Sequence, residues 1–271
     1  MKKYLAIAMA ALLLVCSLAS CASGADGSIG DYAPEADYLI TETGTFYFAE
    51  GEGETAILVS FVGKATSNDK VKGPESFGDR VVTEIGEKAF YNLAAIVSVE
   101  LPDTILEIGD YAFARCTELT EIKLPENVLT IGEGAFIECD ALEKVTLNTY
   151  LEEIGDKAFN GCTALKDITL PENLISIGDG AFAFCTSLPS LVVPASVREI
   201  GELAYTDCTG IERIEFKSDT VKINAHAFEH ADGTNLKDKF VVDGLGAESA
   251  VLTYINGLAD APETEPVADA E

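Results

Sequence analysis

Apolar residues return along this chain with a fixed period of 23: Ile85, Ile108, Ile131, Ile154, Ile177, Ile200 and Ile223 mark it. A second apolar column precedes them at Val82, Ile105, Val128, Leu151, Leu174 and Val197. Glycine follows six of the isoleucines (Gly86, Gly109, Gly132, Gly155, Gly178, Gly201), and Asn224 follows the seventh. Gly and Asn most readily accept a left-handed backbone, so this exchange predicts positive φ at that place. Ala stands at 89, 112, 135, 158, 181, 204 and 227, which predicts a place with no room for a larger side chain. The next column is aromatic: Phe90, Phe113, Phe136, Phe159, Phe182, Tyr205 and Phe228.

Stretches such as Leu119–Pro125 and Leu165–Pro171 alternate apolar and polar residues. Such alternation predicts a short, half-buried strand. Pro102, Pro125, Pro171 and Pro194 close it, since proline cannot continue a ladder. One such unit cannot bury its apolar face alone, whereas stacked units can. The pattern therefore predicts a solenoid of about six to seven coils, each adding one strand to a parallel ladder at ~4.8 Å spacing, about 30 Å long in all.

The pattern I-G-x-x-A-F-x-x-C-x-x-L-x-x-I-x-L-P, carried by about residues 70 to 230, resembles the BspA-type leucine-rich repeat of bacterial surface proteins. Asn148 and Lys217 depart from it where Pro is usual, and Leu93 where Cys is usual. The resemblance implies a β-rich α+β fold, a right-handed leucine-rich-repeat solenoid with capped ends. Thr45–Phe48 and Ala56–Val62 look like its N-terminal hairpin. Lys239–Val242 followed by Ala247–Asn256 looks like its closing strand and helix. Caps are physically required, because an open solenoid end exposes apolar surface and strand edges. The expected organisation is a signal peptide at 1–20, a tether at 21–36, an N-terminal cap at 37–80, repeats at 81–230, a C-terminal cap at 231–260 and a disordered acidic tail at 261–271.

Charge narrows the partners. Eighteen Lys and Arg stand against 46 Asp and Glu, a net charge of −28. Such a chain repels phosphate backbones and anionic lipid, so nucleic acid is not an expected partner. Membrane attachment then needs insertion or a covalent lipid. The start of the chain suits the second. Lys2 and Lys3 precede an uncharged run from Tyr4 to Ser20, which reads as a secretory signal. Leu18-Ala19-Ser20-Cys21 resembles the lipobox of bacterial lipoproteins. That resemblance implies cleavage before Cys21, diacylglycerol on its sulfur and an outward-facing anchor on a bacterial envelope.

Five more cysteines (Cys116, Cys139, Cys162, Cys185, Cys208) recur one per coil. In-register coils hold their Cβ vectors parallel, unsuited to disulfides, and the column diverges rather than converging on a metal. They read as buried small hydrophobes with free thiols. An acidic column, Glu87, Asp110, Glu133, Asp156, Asp179 and Glu202, follows the glycines. It reads as acids opening a short helical turn, where they favour exposed N–H groups, with a weaker alternative as a calcium ladder. His226 and His230 lie four apart, yet His226 sits at a variable surface place, so no metal is expected there.

The solvent side of the strands is the candidate binding face. One column is Ser98, Glu121, Lys144, Asp167, Ser190 and Arg213; its neighbour is Glu100, Lys123, Thr146, Thr169, Val192 and Glu215. Their variation fits a recognition surface and a merely solvated face equally well. No nucleophile elbow, phosphate loop or Cys-x-x-Cys motif occurs, and no cofactor or enzyme activity is expected. The family resemblance implies adhesion to a protein on a host or neighbouring cell or in extracellular matrix. A structural envelope protein and a carbohydrate-binding module are the alternatives. The lack of Trp argues against sugar stacking.

Overall fold

A computed structural model describes residues 37–63, 69–231, 233–241, 246 and 249–260. It is a β-solenoid of about eight coils with ~23-residue spacing and one C-terminal helix. The leader, the tether, Cys21 and the acidic tail lie outside the described residues.

Three strands come first among the described residues: β1 (Asp37–Ile40), β2 (Gly44–Glu50) and β3 (Thr55–Gly63). β2 and β3 pair antiparallel, as the two β-rich runs predict. β3 then pairs parallel with Arg80–Ile85, and the coils stack onto that edge. Six two-residue strands ending in Ile108, Ile131, Ile154, Ile177, Ile200 and Ile223 continue this first ladder in parallel.

The sequence predicts one strand per coil, and the structure has two. The second series starts at Asp69–Lys72 and Ile96–Glu100 and continues through Glu121–Lys123, Lys144–Thr146 and Asp167–Ile168. A separate sheet of Ser190–Val193, Arg213–Phe216 and Phe240–Val241 follows. The strands of this second side run from Asp69 to Val241.

The break between these two sheets has a local cause. Thr120, Glu143, Lys166 and Glu212 each donate their N–H to the coil before, at 3.0, 2.9, 3.1 and 3.0 Å. The equivalent place in the intervening coil is Pro189, which has no N–H to donate. Asp167–Ile168 and Ser190–Val193 are left unpaired with each other.

The third side of each coil is a pair of tight turns rather than the short helical turn expected. Ala112 donates its N–H to Gly109 and Cys116 to Phe113, closing two successive turns. Positive φ falls inside these turns, at Lys88, Tyr111, Gly134, Lys157, Gly180, Leu203 and His226, and again at Asn92, Arg115, Glu138, Gly161, Phe184 and Asp207. It does not fall at Gly86, Gly109, Gly132, Gly155, Gly178, Gly201 or Asn224, where the sequence predicts it. Those glycines answer to contact. A Cβ on Gly132 would lie 2.7 Å from the Asp110 backbone nitrogen, and one on Gly178 would lie 2.5 Å from that of Asp156.

Side chains fill the space between the three sides. The aromatic column is a continuous stack from Phe90 to Phe228, with centroids 4.8 to 5.2 Å apart and planes within 12°. Each ring residue but the last donates its backbone N–H to the Ala of the next coil at 2.7 to 2.8 Å. The Ala column is buried throughout, which leaves the backbones free to meet. Phe61 extends the stack into the hairpin cap at 5.5 Å. At the other end α1 (Ala250–Asp260) closes the core with Val251 and Tyr254. The Tyr254 hydroxyl accepts the Phe228 N–H at 3.3 Å, and burial pushes its pKa up to about 12.

The cysteine column is a satisfied part of this core. Each thiol is buried and free, and donates to the carbonyl of the aromatic residue one coil earlier, from Cys116 on Phe90 to Cys208 on Phe182, at 3.0 to 3.2 Å. Desolvation raises all five above the ordinary thiol range, and Cys116 and Cys208 reach about 12. Thiolate is the reactive species, so these sulfurs are expected to be inert while the protein is folded. A thiol reagent at pH 8 should leave the five unmodified in the native chain and titrate all five in denaturant; rapid native modification would contradict the packing.

Candidate functional site

The second series of strands carries the candidate face, and parallel pairing puts its variable residues in register. Ser98, Glu121, Lys144 and Asp167 stand side by side across consecutive strands. Beyond the Pro189 break, Ser190 pairs with Arg213 and Val192 with Glu215. Lys123 and Thr146 also match. A strand turns successive side chains to opposite faces, so the residues between these, such as Ile122, Val145 and Ile214, enter the core while these face out. Ten of the twelve candidates are exposed, and Ser98 and Glu215 are half-buried. The break divides the face into two panels.

Register adds two residues that sequence reading misses. Lys70 pairs with Ser98 and Lys72 with Glu100, at the N-terminal edge of the same face. Their signal is the Asp-Lys-Val-Lys alternation at 69–72, a strand without the rest of the repeat pattern.

Charge on this face is mixed. Lys144 Nζ lies 2.9 Å from Asp167 Oδ2, Lys72 lies 3.4 Å from Glu100, and Arg213 lies 2.9 Å from Glu215. Lys217 also bonds Glu215, and together Lys217 and Arg213 hold that carboxyl down to about 2. The hydrogen bond from Lys144 to Asp167 raises the Lys144 pKa. Among the twelve candidates three cations oppose four carboxylates, so the face is close to neutral on a chain of net charge −28. No aromatic residue is among them; among the described residues the exposed rings Tyr38, Tyr91, Tyr150 and Phe184 lie elsewhere.

The acidic column lies on the turn side and caps backbone groups. Asp110, Asp156 and Asp179 each accept, on Oδ1, the N–H of the acidic residue one coil on, at 2.8, 2.7 and 2.6 Å. Carboxylate oxygens thus tie coil to coil. Among the described residues no group of three or more His, Cys, Asp or Glu is placed to hold a metal ion. His226 Nδ1 bonds Glu229 at 2.7 Å, which raises its pKa, while His230 lies 3.6 Å from Asp207.

One carboxylate pair works against the fold. Glu84 and Glu107 are neighbours in the first ladder. Burial first, then the Glu107 charge, raise the Glu84 pKa. An acid with its pKa raised by folding gives full stability below its unfolded pKa and loses some as pH rises through the folded one. Glu84→Gln should therefore raise the melting temperature at pH 7 and leave it unchanged near pH 3. An equal rise at both would contradict the charge explanation.

Among the described residues no helix is long and apolar enough to cross a membrane. The description "BspA type Leucine rich repeat region" matches in six copies over residues 83–212 and 130–239, more than half of the chain. No curated protein sequence matches it. The fold is similar to a leucine rich cell surface protein of Faecalibacterium prausnitzii, at 25% identity and a TM-score of 0.50 over 70% of this chain and 56% of that one. A leucine-rich repeat protein of Bacteroides ovatus aligns at 22% identity and a TM-score of 0.49, over 74% of this chain and 57% of that one. The chain thus spans a little over half the length of each.

Proposed function

Because this chain belongs to the BspA-type leucine-rich repeat family, we propose that it is a non-enzymatic protein-binding module displayed at a bacterial cell surface, and that it binds through the outer face of its second strand series. The observation that carries the reading is the in-register, nearly neutral face on a strongly acidic molecule. Alternating signs in fixed positions select complementary partners and reject others. The likeness to a cell surface protein supports the address. Cys21 is the proposed lipid attachment, and a protein of a host or neighbouring cell, or of extracellular matrix, is the proposed partner.

A structural envelope role without a ligand is the competing reading, and charge reversal separates the two. Lys144→Glu with Arg213→Glu places like charge beside Asp167 and Glu215 on both panels. A rim charge typically governs association rate, and a buried one costs several kcal/mol when unpaired. We expect the double variant to bind its partner at least about tenfold more weakly, a loss of ~1.4 kcal/mol. Glu87→Lys on the turn side should change binding little. Equal binding by both variants would move the site off this face.

A further inference from the structure

We propose that the outer side of the first ladder is a second docking surface, and that it takes a cationic amphipathic helix of a partner protein, apolar along one side with Lys or Arg beside it. Leu106, Leu129 and Ile175 hold the same place in their coils, one residue ahead of the two-residue strands. Backbone bonds set this place side by side from coil to coil. Leu129 donates to Leu106 at 3.2 Å, Glu152 to Leu129 at 2.9 Å and Ile175 to Glu152 at 2.8 Å. In the coil that has Glu152 there, Tyr150 supplies an exposed ring. The departure at Asn148 holds that turn. Its amide donates to the Pro125 and Val128 carbonyls at 2.7 and 2.8 Å, and its Oδ1 accepts the Tyr150 N–H at 2.7 Å. These four apolar side chains are 39 to 57% exposed, whereas Ile108, Ile131 and Ile177, two residues on from the aliphatics, are buried. A row of large apolar residues kept on a surface marks an interaction site, and Tyr is a favoured anchor.

Charge says what covers the row. Glu107 and Glu153 follow it on the ladder, Glu152 interrupts it, and Asp103, Glu126 and Glu172 stand in the turns that lead into it. None of these six carboxylates has an ion-pair partner among the described residues, whereas Glu100, Asp167 and Glu215 on the other face each have one. The cations of these two columns, Arg198 and Lys222, come after Ile175, and Lys222 is already held by Glu199. At the other end, burial and then the Glu107 charge raise the Glu84 pKa, a tension that a cation from a partner relieves. Spacing selects a helix. Coils lie ~4.8 Å apart, so Leu106 to Ile175 spans about 14 Å. A helix rises 5.4 Å per turn and presents one apolar side chain to each coil over about three turns. A strand would present one only every ~6.8 Å. The α-helix of the described residues, α1, has no Lys or Arg, so a second copy does not supply it from there. The surface goes beyond the protein-binding reading and lies on another side of the coil.

The probe is a Leu/Lys peptide of about 14 residues with leucines at helical i, i+3, i+4 spacing, set against a scrambled peptide of the same composition. Both are titrated into the full chain at about 0.15 M salt, where exposed charges are screened beyond about 8 Å. The amphipathic peptide should bind at least about tenfold more tightly than the scramble, since only it aligns apolar and charged contacts together. Leu129→Ser with Ile175→Ser should bring the two peptides within about twofold, with the melting temperature unchanged because both side chains are exposed. Glu107→Gln with Glu153→Gln should weaken the amphipathic peptide about fivefold. Phe184→Ser with Leu203→Ser, exposed apolar residues of the turn side, should leave the preference intact. All these variants keep Lys144 and Arg213, so this surface and the proposed protein-binding face fail separately. The proposal is overturned if both peptides bind the native chain alike, which is attraction to net charge only. It is equally overturned if the preference survives Leu129→Ser with Ile175→Ser, if that variant melts several degrees lower, if the Gln pair changes nothing, or if the turn-side variant removes the preference.

Discussion

Phe159→Ala is expected to cost about 3–5 kcal/mol of stability, the range for deleting a fully buried Phe ring. Phe159 sits at the middle of the stack, 5.2 Å from both Phe136 and Phe182, and no part of it is exposed. Alanine would leave a gap between two rings whose backbones are held by hydrogen bonds to their neighbours. The Phe136 N–H bonds Ala158, and the Phe159 N–H bonds Ala181. The coils therefore cannot close on the cavity without giving up ladder contacts. A solenoid's stability is a sum of repeats and nearest-neighbour interfaces, so a central lesion weakens two interfaces at once. Chemical denaturation should show the loss, together with a less cooperative transition. An unchanged midpoint would mean that the aromatic column does not form the core.

Gly178→Ala should be nearly as damaging and Gly180→Ala mild, although the two glycines are only two residues apart. A Cβ at 178 would lie 2.5 Å from the Asp156 nitrogen and 2.6 Å from the Gly155 carbonyl carbon. Both are backbone atoms of the adjacent coil, and Gly178 itself donates to Ile154 at 2.8 Å. Overpacking typically costs about 1–3 kcal/mol, and here the contact is with an immobile backbone, so the upper end is expected. Gly180 has φ +59 with its nearest contact a flexible Lys157 side chain at 3.5 Å. Its equivalents Lys157 and Leu203 hold the same left-handed backbone, so alanine there should cost no more than about 1–2 kcal/mol. Thermal melts of the two single variants make the comparison. A larger loss at 180 than at 178 would reverse the assignment of the two glycines.

That contrast shows where the sequence was legible. A 23-residue period with buried Ile, Ala and aromatic columns specifies a stacked solenoid, because only stacking can bury such faces together. Gly at a constant place has two physical explanations, freedom of φ and absence of bulk, and the pattern alone does not separate them. Left-handed residues hid at places as varied as Lys88, Tyr111 and His226, because their side chains face outward and any residue can take that backbone at modest cost. The first ladder was also hidden, since two-residue strands such as Glu107–Ile108 are too short to show alternation. The break had a signal: Pro189 replaces the N–H donors Thr120, Glu143 and Lys166 of other coils. Reading it needs the ladder's register, which comes only with the fold. The outward columns were legible as a face, and their grouping into two panels was not.

The most direct test of the account is a binding measurement on the soluble chain from Ala22 to Glu271 against an array of matrix proteins, glycans and bacterial cells. Saturable binding to a protein ligand is expected, abolished or sharply weakened by Lys144→Glu with Arg213→Glu. A folded chain that binds nothing on the array, or a ligand that the double variant holds equally well, would contradict it.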